Sequence, residues 1–396
     1  MSKKMNLVFV IVAALLTLGM LLLPDASPQT AAGAIPREKV RILSVDNSML
    51  DPLGIVYSGV QQCEAEILSG PHKGEKVPAA NFLNADLEKD KLYRVGDVAV
   101  AMVHTRGAQL AVTLVDLDRG PTMGWMVLGY MALLVIFAGL SGVGALVSLA
   151  ASAVMMWKVY IPLLLRGAPP IPSALLLVGL LTCVIAFLVA GFSRLALSAI
   201  IGSLLGTLTT LLLAVLFAGW LRLDGTTLPF LTPLLSQSSM QLDMRGIYLA
   251  MTFIGASGAL TDLGMDIAAA CHEVQVHAPQ ITGRALRRAG NSVGRTVIGT
   301  MTTTLVMAYS GSFLTMLMYY QGQGTPLVDI LSYRFIAAEL MSVIVGAFGL
   351  LAVAPLTAAV CGWLYTRGRM GSNPATQDNT QDNTQDNTQD NTQDNT

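Results

Sequence analysis

The sequence predicts a mostly α, polytopic membrane bundle of about eight transmembrane helices, joined to a small extracytoplasmic β domain. Three observations carry this. Of the 396 residues, 53% are hydrophobic and only 12% are charged, about half the charged share of a soluble domain. Uncharged runs long enough for a hydrocarbon core of ~30 Å alternate with short charged clusters. Residues 24–120 alone depart from that pattern and carry short alternating runs instead.

Several function classes fall away first. The net charge is −1, and no basic tract with interleaved aromatics occurs, so nucleic acid is not an expected partner. Cys63, Cys183, Cys271 and Cys361 are far apart and lack C-x-x-C spacing; they read as buried, unreactive thiols rather than a disulfide framework or zinc site. His272 and His277 stand at i and i+5, about 140° apart on a helix, whereas a zinc-protease helix needs i and i+4. No G-x-S-x-G, P-loop or intramembrane-protease motif is present. The expectation is therefore no catalytic residue, no metal, no cofactor and no enzyme.

Taken in order, Lys3 and Lys4 precede the apolar run Leu7 to Leu23, so residues 1–23 read as a membrane anchor with its amino end inside. The alternative is a cleaved signal peptide, for which Ala32-Gly33-Ala34 is the candidate site. In residues 24–120, Val40 to Leu43, Glu64 to Leu68, Val98 to Val103 and Leu110 to Val115 are β-type runs separated by turn signals such as Gly70-Pro71 and Gly96-Asp97. About five antiparallel strands, forming an OB-like barrel or sandwich, are expected. Lying between two spans, this domain belongs outside the cytoplasm.

Residues 121–370 form the helical bundle. Thr122 to Trp157 holds no charge and fits two spans turning at Gly139 to Gly142, the second running on to Leu165. Ser173 to Phe192, Leu195 to Leu221, Gly246 to Asp262, Thr296 to Tyr320 and Phe335 to Tyr365 supply the rest. Lys3, Lys4, Arg194, the Arg284/Arg287/Arg288 cluster, Arg367 and Arg369 then fall inside, with both termini, while Arg166, Arg222, Arg245 and Arg334 fall outside singly. Residues 371–396 contain five QDNT repeats from Gln377 onward; aspartate at every fourth position would stack like charge on a helix, so the tail reads as disordered.

The chemistry concentrates in the sixth and seventh spans. The uncharged stretch between Arg245 and Asp262 covers about 24 Å as a helix, short of the ~30 Å core, so either Arg245 snorkels or Asp262 lies at membrane depth. Asp266 is about 40° and Glu273 about 20° round from Asp262, an acidic stripe continued by Ala259 and Gly255. One reading makes these carboxylates interfacial and solubilising. The other makes Asp262 and Asp266 a coupled pair for a proton or cation, with Arg295 as counter-charge and Thr300, Thr302 and Thr303 as a polar path beside it. The threonines also have an ordinary role open to them, bonding to their own helix backbone.

Lys158 and Glu339 fall in the outer halves of their spans, close enough in depth for an intramembrane ion pair; snorkelling of Lys158 is the alternative. A connector at about 267–290 presents Arg284, Arg287 and Arg288 on one face opposite Ile281 and Leu286, which suits an amphipathic segment lying on anionic lipid.

Gly255 to Asp262 with Asp266, Gly290 to Arg295, Gly299 to Leu305 and Ala308 to Ser312 together resemble the core pattern of bacterial YibE/F proteins. Pro162 to Gly167, Gly191-Phe192, Gly202, Gly206, Ala338-Glu339, Gly346 and Pro355 resemble it too, as does the run Ile67 to Glu75; the likeness covers about residues 35–366. It implies a multi-spanning bacterial plasma-membrane protein with an extracytoplasmic β domain, and no established reaction. The acidic helix, connector and threonine-bearing helix are also similar to the proton-coupled helices of the resistance-nodulation-division superfamily. Thr303 departs from the family, which would place asparagine there. These readings leave two functions open: an ion-coupled permease component, or a non-transporting scaffold whose β domain recruits an envelope partner.

Overall fold

The computed structural model describes residues 3–23, 37–106, 109–237 and 242–367. The repeat tail and the candidate cleavage site Ala32 to Ala34 lie outside the described residues. The chain divides into two compact units, Asp25–Val143 and Met1–Pro24 with Gly144–Thr396.

In the first unit, alternation sets the fold. β1 (Arg37–Asp46), β2 (Leu50–Leu53), β3 (Val56–Ile67), β4 (Lys76–Asn84), β5 (Val98–Arg106) and β6 (Gln109–Leu117) form one sheet. Every second residue points inward: Val40 and Ile42, Cys63 and Ala65, Val77 and Ala79, Ala99 and Ala101, and Val112 and Leu114 share one core with Tyr93. β1 pairs antiparallel with both β3 and β5, β3 with β4, and β5 with β6. A short parallel contact, Ala79 to Val112 and Ala80 to Thr113, joins β4 to β6 and closes a five-stranded Greek-key barrel of OB type. β2 adds to β3 alone, as a hairpin.

The barrel end is pinned by a buried amide pair. Gln61 Oε1 accepts from Asn81 Nδ2 at 3.0 Å and from the Tyr93 N–H at 3.0 Å, while Gln61 Nε2 donates to the Tyr93 carbonyl at 3.1 Å and to Asn47 Oδ1 at 2.9 Å. Asn81 Nδ2 also reaches the Lys91 carbonyl at 2.8 Å. The long β4–β5 connection is thus held by satisfied polar groups.

The remaining elements are helical: α1 (Lys3–Leu22), α2 (Gly120–Gly139), α3 (Gly142–Leu165, with a π turn at Met156–Tyr160), α4 (Pro170–Ala190), α5 (Arg194–Trp220), α6 (Leu231–Gln237), α7 (Met244–His277), α8 (Gly283–Ser312), α9 (Leu314–Gly322), α10 (Leu327–Ser332) and α11 (Arg334–Arg367). α2 and α3 part at Gly139, whose φ of 57° and ψ of −133° belong to no helix. α4 stops at Gly191, with φ 63° and ψ −174°, a conformation essentially restricted to glycine. Ser193, Asp243 and Thr282 cap α5, α7 and α8 by accepting from backbone N–H groups.

Six helices among the described residues are long and apolar enough to cross a membrane: α2, α3, α4, α5, α7 and α11. The expected count of about eight is not reached on that measure. α8 and α9 qualify only together and are bent by 64° at their junction, and the apolar stretch of α1, Phe9–Leu22, falls short.

α5, α7, α8 and α11 share a core built from Ala199, Leu260, Ile267, Leu305, Val353 and Cys361 among others. α5 meets α11 along small residues. A Cβ on Gly202 would overlap Thr357, one on Gly206 would overlap Val353, and one on Gly349 would overlap Thr210. Spaced four apart, Gly202, Gly206 and Thr210 form one ridge, and the glycines let two backbones approach as membrane helices require.

The surface connector expected at about 267–290 is corrected by this unit. Residues 267–277 complete α7 and residues 283–290 begin α8, leaving only Ala278 to Thr282 between them. The apolar positions face protein instead of lipid: Leu286 is fully buried in the shared core, and Gly290 packs on Cys271 and Ala358.

Candidate functional site

The acidic stripe exists as a face of α7. Asp262, Asp266 and Glu273 are all exposed, as are Gly255 and Gly258, whereas Leu260, Leu263, Ile267 and Cys271 on the other side are fully buried. Glu273 lies 3.4 Å from His277, one turn on.

Interhelical contacts fix the depth of the two aspartates. The hydroxyls of Thr261 and Thr182 on α4 are 3.3 Å apart, and Ser203 on α5 donates to the Leu260 carbonyl at 3.2 Å. Thr182 stands eight residues before Ala190, the end of α4, and Ser203 nine after Arg194, the start of α5. Both routes, at 1.5 Å per residue, put Asp262 about 10 Å inside the Gly191 turn, and Asp266 about 5 Å inside it. α7 then runs on past that turn. Of the two possibilities left by the short uncharged stretch, the contacts favour Asp262 at the depth of the apolar helices.

Arg295 does not complete the cluster. It shares its level on the α7–α8 hairpin with Asp266, since Gly294 packs on Ile267, but it is exposed and, among the described residues, forms no ion pair with either aspartate. The expected ion pair of Arg295 with Asp262 or Asp266 is therefore not formed among the described residues. α8 turns Gly290 and Gly294 inward, and residue 295, 100° further round than 294, turns out. The threonines take their ordinary role: Thr300 donates to the Val297 carbonyl at 2.9 Å and Thr303 to the Gly299 carbonyl at 3.0 Å. Thr302 is half-buried.

Among the described residues no ion pair joins Lys158 to Glu339. Lys158 Nζ donates to the Leu23 carbonyl at 2.7 Å, and α3 packs with α4 and α7 through Met155 and Tyr160. Ala338, beside Glu339, belongs to a different cluster with α5 and α7. Glu339 is half-buried near Tyr248, whose hydroxyl donates to the Ala338 carbonyl at 2.8 Å. Arg284, Arg287 and Arg288 are exposed in the first turns of α8, with the Arg287 stem lying where a Cβ on Gly362 would fall.

Sequence reasoning missed the hydroxyl links between spans. Thr182 to Thr261, Ser203 to Leu260, and Thr252 to Ser342 at 3.2 Å tie α4, α5, α7 and α11 together. It also missed Tyr365, whose hydroxyl lies 3.1 Å from His272 Nδ1. Among the described residues no group of three or more His, Cys, Asp or Glu side chains is placed to hold a metal ion.

The model of the YibE/F-like protein family matches residues 126–367, more than half of the chain. The chain belongs to the YibE/F-like family. The YibE/F match takes in α7, α8 and both aspartates, while the barrel strands, residues 37–117, lie outside it. No match to this YibE/F-like chain was found among curated proteins or among solved structures.

Proposed function

We propose that this YibE/F-like protein is a non-enzymatic, ion-coupled transport component of the bacterial plasma membrane, with its barrel outside and both termini in the cytoplasm. One observation carries the reading: Asp262 and Asp266 lie one turn apart on a single face of α7, about 10 Å and about 5 Å inside the ends of α4 and α5. A carboxylate at such depth is costly, and in membrane proteins such groups mark ion or proton paths. Two carboxylates within one helical turn repel each other, and one proton or one cation would relieve that repulsion. Gly258 leaves the face above them open, while the Tyr309 hydroxyl of α8 lies over Gly255. Arg284, Arg287 and Arg288 would meet anionic headgroups on the cytoplasmic side.

Reconstitution into liposomes with a pH-sensitive dye and imposed cation gradients tests this. Flux is expected from the intact chain and a loss of at least tenfold from Asp262→Asn combined with Asp266→Asn. Equal flux from both proteins would end the reading.

A scaffold reading has its own support. The outer wall of the barrel carries a groove of about 820 Å³ bordered by Gln62, Phe82, His104 and Thr113, concave and of the size that holds ligands or partner segments. If a membrane without flux still yields an envelope protein crosslinked at Phe82, the scaffold reading replaces transport.

A further inference from the structure

The outward faces of this bundle are of two kinds. α4 turns Leu176, Leu180 and Val189 outward, a surface suited to acyl chains. The α7–α8 hairpin turns out Gly258, Asp262 and Asp266 on one helix and Arg295, Gly299 and Thr303 on the other. These positions lie at the depth of the apolar helices, where lipid supplies no partner for a charge or for a hydroxyl-rich face. Within the chain the charges are also unmatched: among the described residues neither aspartate and not Arg295 takes part in an ion pair.

We propose that this face is covered by a second copy of the chain, related by a twofold axis, with Arg295 of each copy reaching Asp262 and Asp266 of the other. The observation that selects a second copy is the charge pattern. The face carries both signs at one level, so a twofold axis brings residue i to j and j to i and matches each guanidinium with a carboxylate pair. An anionic lipid headgroup would satisfy only one sign, and an apolar partner neither. Gly258 and Gly299 favour close approach, since a Cβ at either position meets nothing within 4 Å in the single chain. The site of the proposed transport reading is then shared between subunits. The inference takes from that reading only the depth of the carboxylates, and it holds whether or not ions move.

The experiment uses the full chain in membranes. Gly258→Cys and Gly299→Cys place thiols in open space, so folding is not at risk, and Leu176→Cys with the unsubstituted chain controls for the native cysteines. Copper-phenanthroline oxidation is expected to give a band of twice the chain mass for the two glycine variants and none for the controls. Monomer bands throughout, or a crosslink to a protein of another mass, would overturn the proposal. Photobleaching-step counts in nanodiscs read the charges directly: Arg295→Asp should raise the dimer dissociation constant at least tenfold, and adding Asp266→Arg should recover it. Failure of that swap to recover dimers overturns the pairing. Flux from a chain that never dimerises would sink this inference alone; dimers that carry no flux would sink only the transport reading.

Discussion

In the barrel, Asp116 takes Lys91 Nζ and Arg119 Nη1, each at 2.8 Å, Asp118 takes Lys39, and Asp86 takes Lys89 at 3.0 Å. In the bundle, Asp262, Asp266 and Arg295 point outward with no ion pair among the described residues. The energies run opposite to this distribution. An exposed pair in water is worth about 0.2–1 kcal/mol, whereas a lone charge costs up to about 2.5–3.5 kcal/mol at a bilayer centre and less at the shallower level of these aspartates. Pairing is thus found among exposed charges of the barrel and not at these three positions of the bundle. The barrel pairs these aspartates within its own fold, although buried Glu38 keeps one carboxylate oxygen without a hydrogen-bond partner, whereas Asp262, Asp266 and Arg295 of the bundle have no ion pair among the described residues.

Their interiors differ as well, and this allows the largest test. The bundle joins α5 to α11 by removing side chains, at Gly202, Gly206 and Gly349. Gly202→Leu drives a branched side chain into Thr357 and its backbone, and should cost more than ~3 kcal/mol, seen as loss of a monodisperse peak in detergent. Gly129→Leu on α2, where a Cβ meets nothing within 4 Å, should stay within about 0.5 kcal/mol of the parent. Similar behaviour of the two would mean the seam is loose.

The barrel interior instead uses long amides. Gln61→Leu fills similar volume but strands the Asn81 amide and the Tyr93 N–H. About 2–3 kcal/mol should be lost, and hydrogen exchange of β3 and β4 amides in the full chain should accelerate while α5 and α11 stay protected. Acceleration in both units together would show that they do not unfold separately.

The third test concerns sign. If the acidic face met lipid, Asp262→Asn with Asp266→Asn would remove unpaired charge and raise thermal stability by about 2 kcal/mol or more. If a second copy supplies Arg295, the same change leaves two guanidinium groups unmatched and lowers the melting temperature in a concentration-dependent way. A melting curve at two protein concentrations separates these outcomes.

Much of this was legible in the sequence, for a physical reason: apolar run length and period-two alternation report burial directly. The runs around Val40, Glu64, Val98 and Leu110 all became strands of the barrel. β4 was not legible, because Pro78 and a row of alanines hide its alternation. The strand tolerates Pro78 because its ladder to β6 begins only at Ala79, so the missing N–H takes nothing from that seam. In the bundle the periodicity drew the stripe of Asp262 and Asp266 correctly, yet could not say which neighbour each face meets. Arg284 to Arg288 illustrates this, since an apolar face opposite arginines reads the same against lipid as against Cys271 and Ala358 of neighbouring helices. Spacing likewise fixed the level of Arg295 on the hairpin but not which group it meets there.

The smallest expected effect sharpens the electrostatic half of the comparison. The hydrogen bond from Lys91 holds the Asp116 carboxyl below its ordinary value, with Leu117 N–H and Arg119 helping and partial burial opposing. Asp118 is lowered first by Lys39, and Asp86 first by Lys89. A folded-state value below the unfolded one contributes stability that is fully present above the unfolded value, near pH 4, and is lost as pH falls through the folded value. The barrel should therefore hold constant stability from about pH 5 to pH 7 on account of these groups and weaken only below about pH 4. Lys91→Ala should raise the Asp116 titration midpoint in carboxyl-selective NMR and cost no more than about 0.5 kcal/mol at pH 7, since both partners are partly solvated. An unmoved midpoint would show that Leu117 and Arg119 hold the carboxylate without the lysine. A cost of several kcal/mol would mean that the barrel, like the bundle, depends on its charges for more than solubility, and the contrast between the two units would fail.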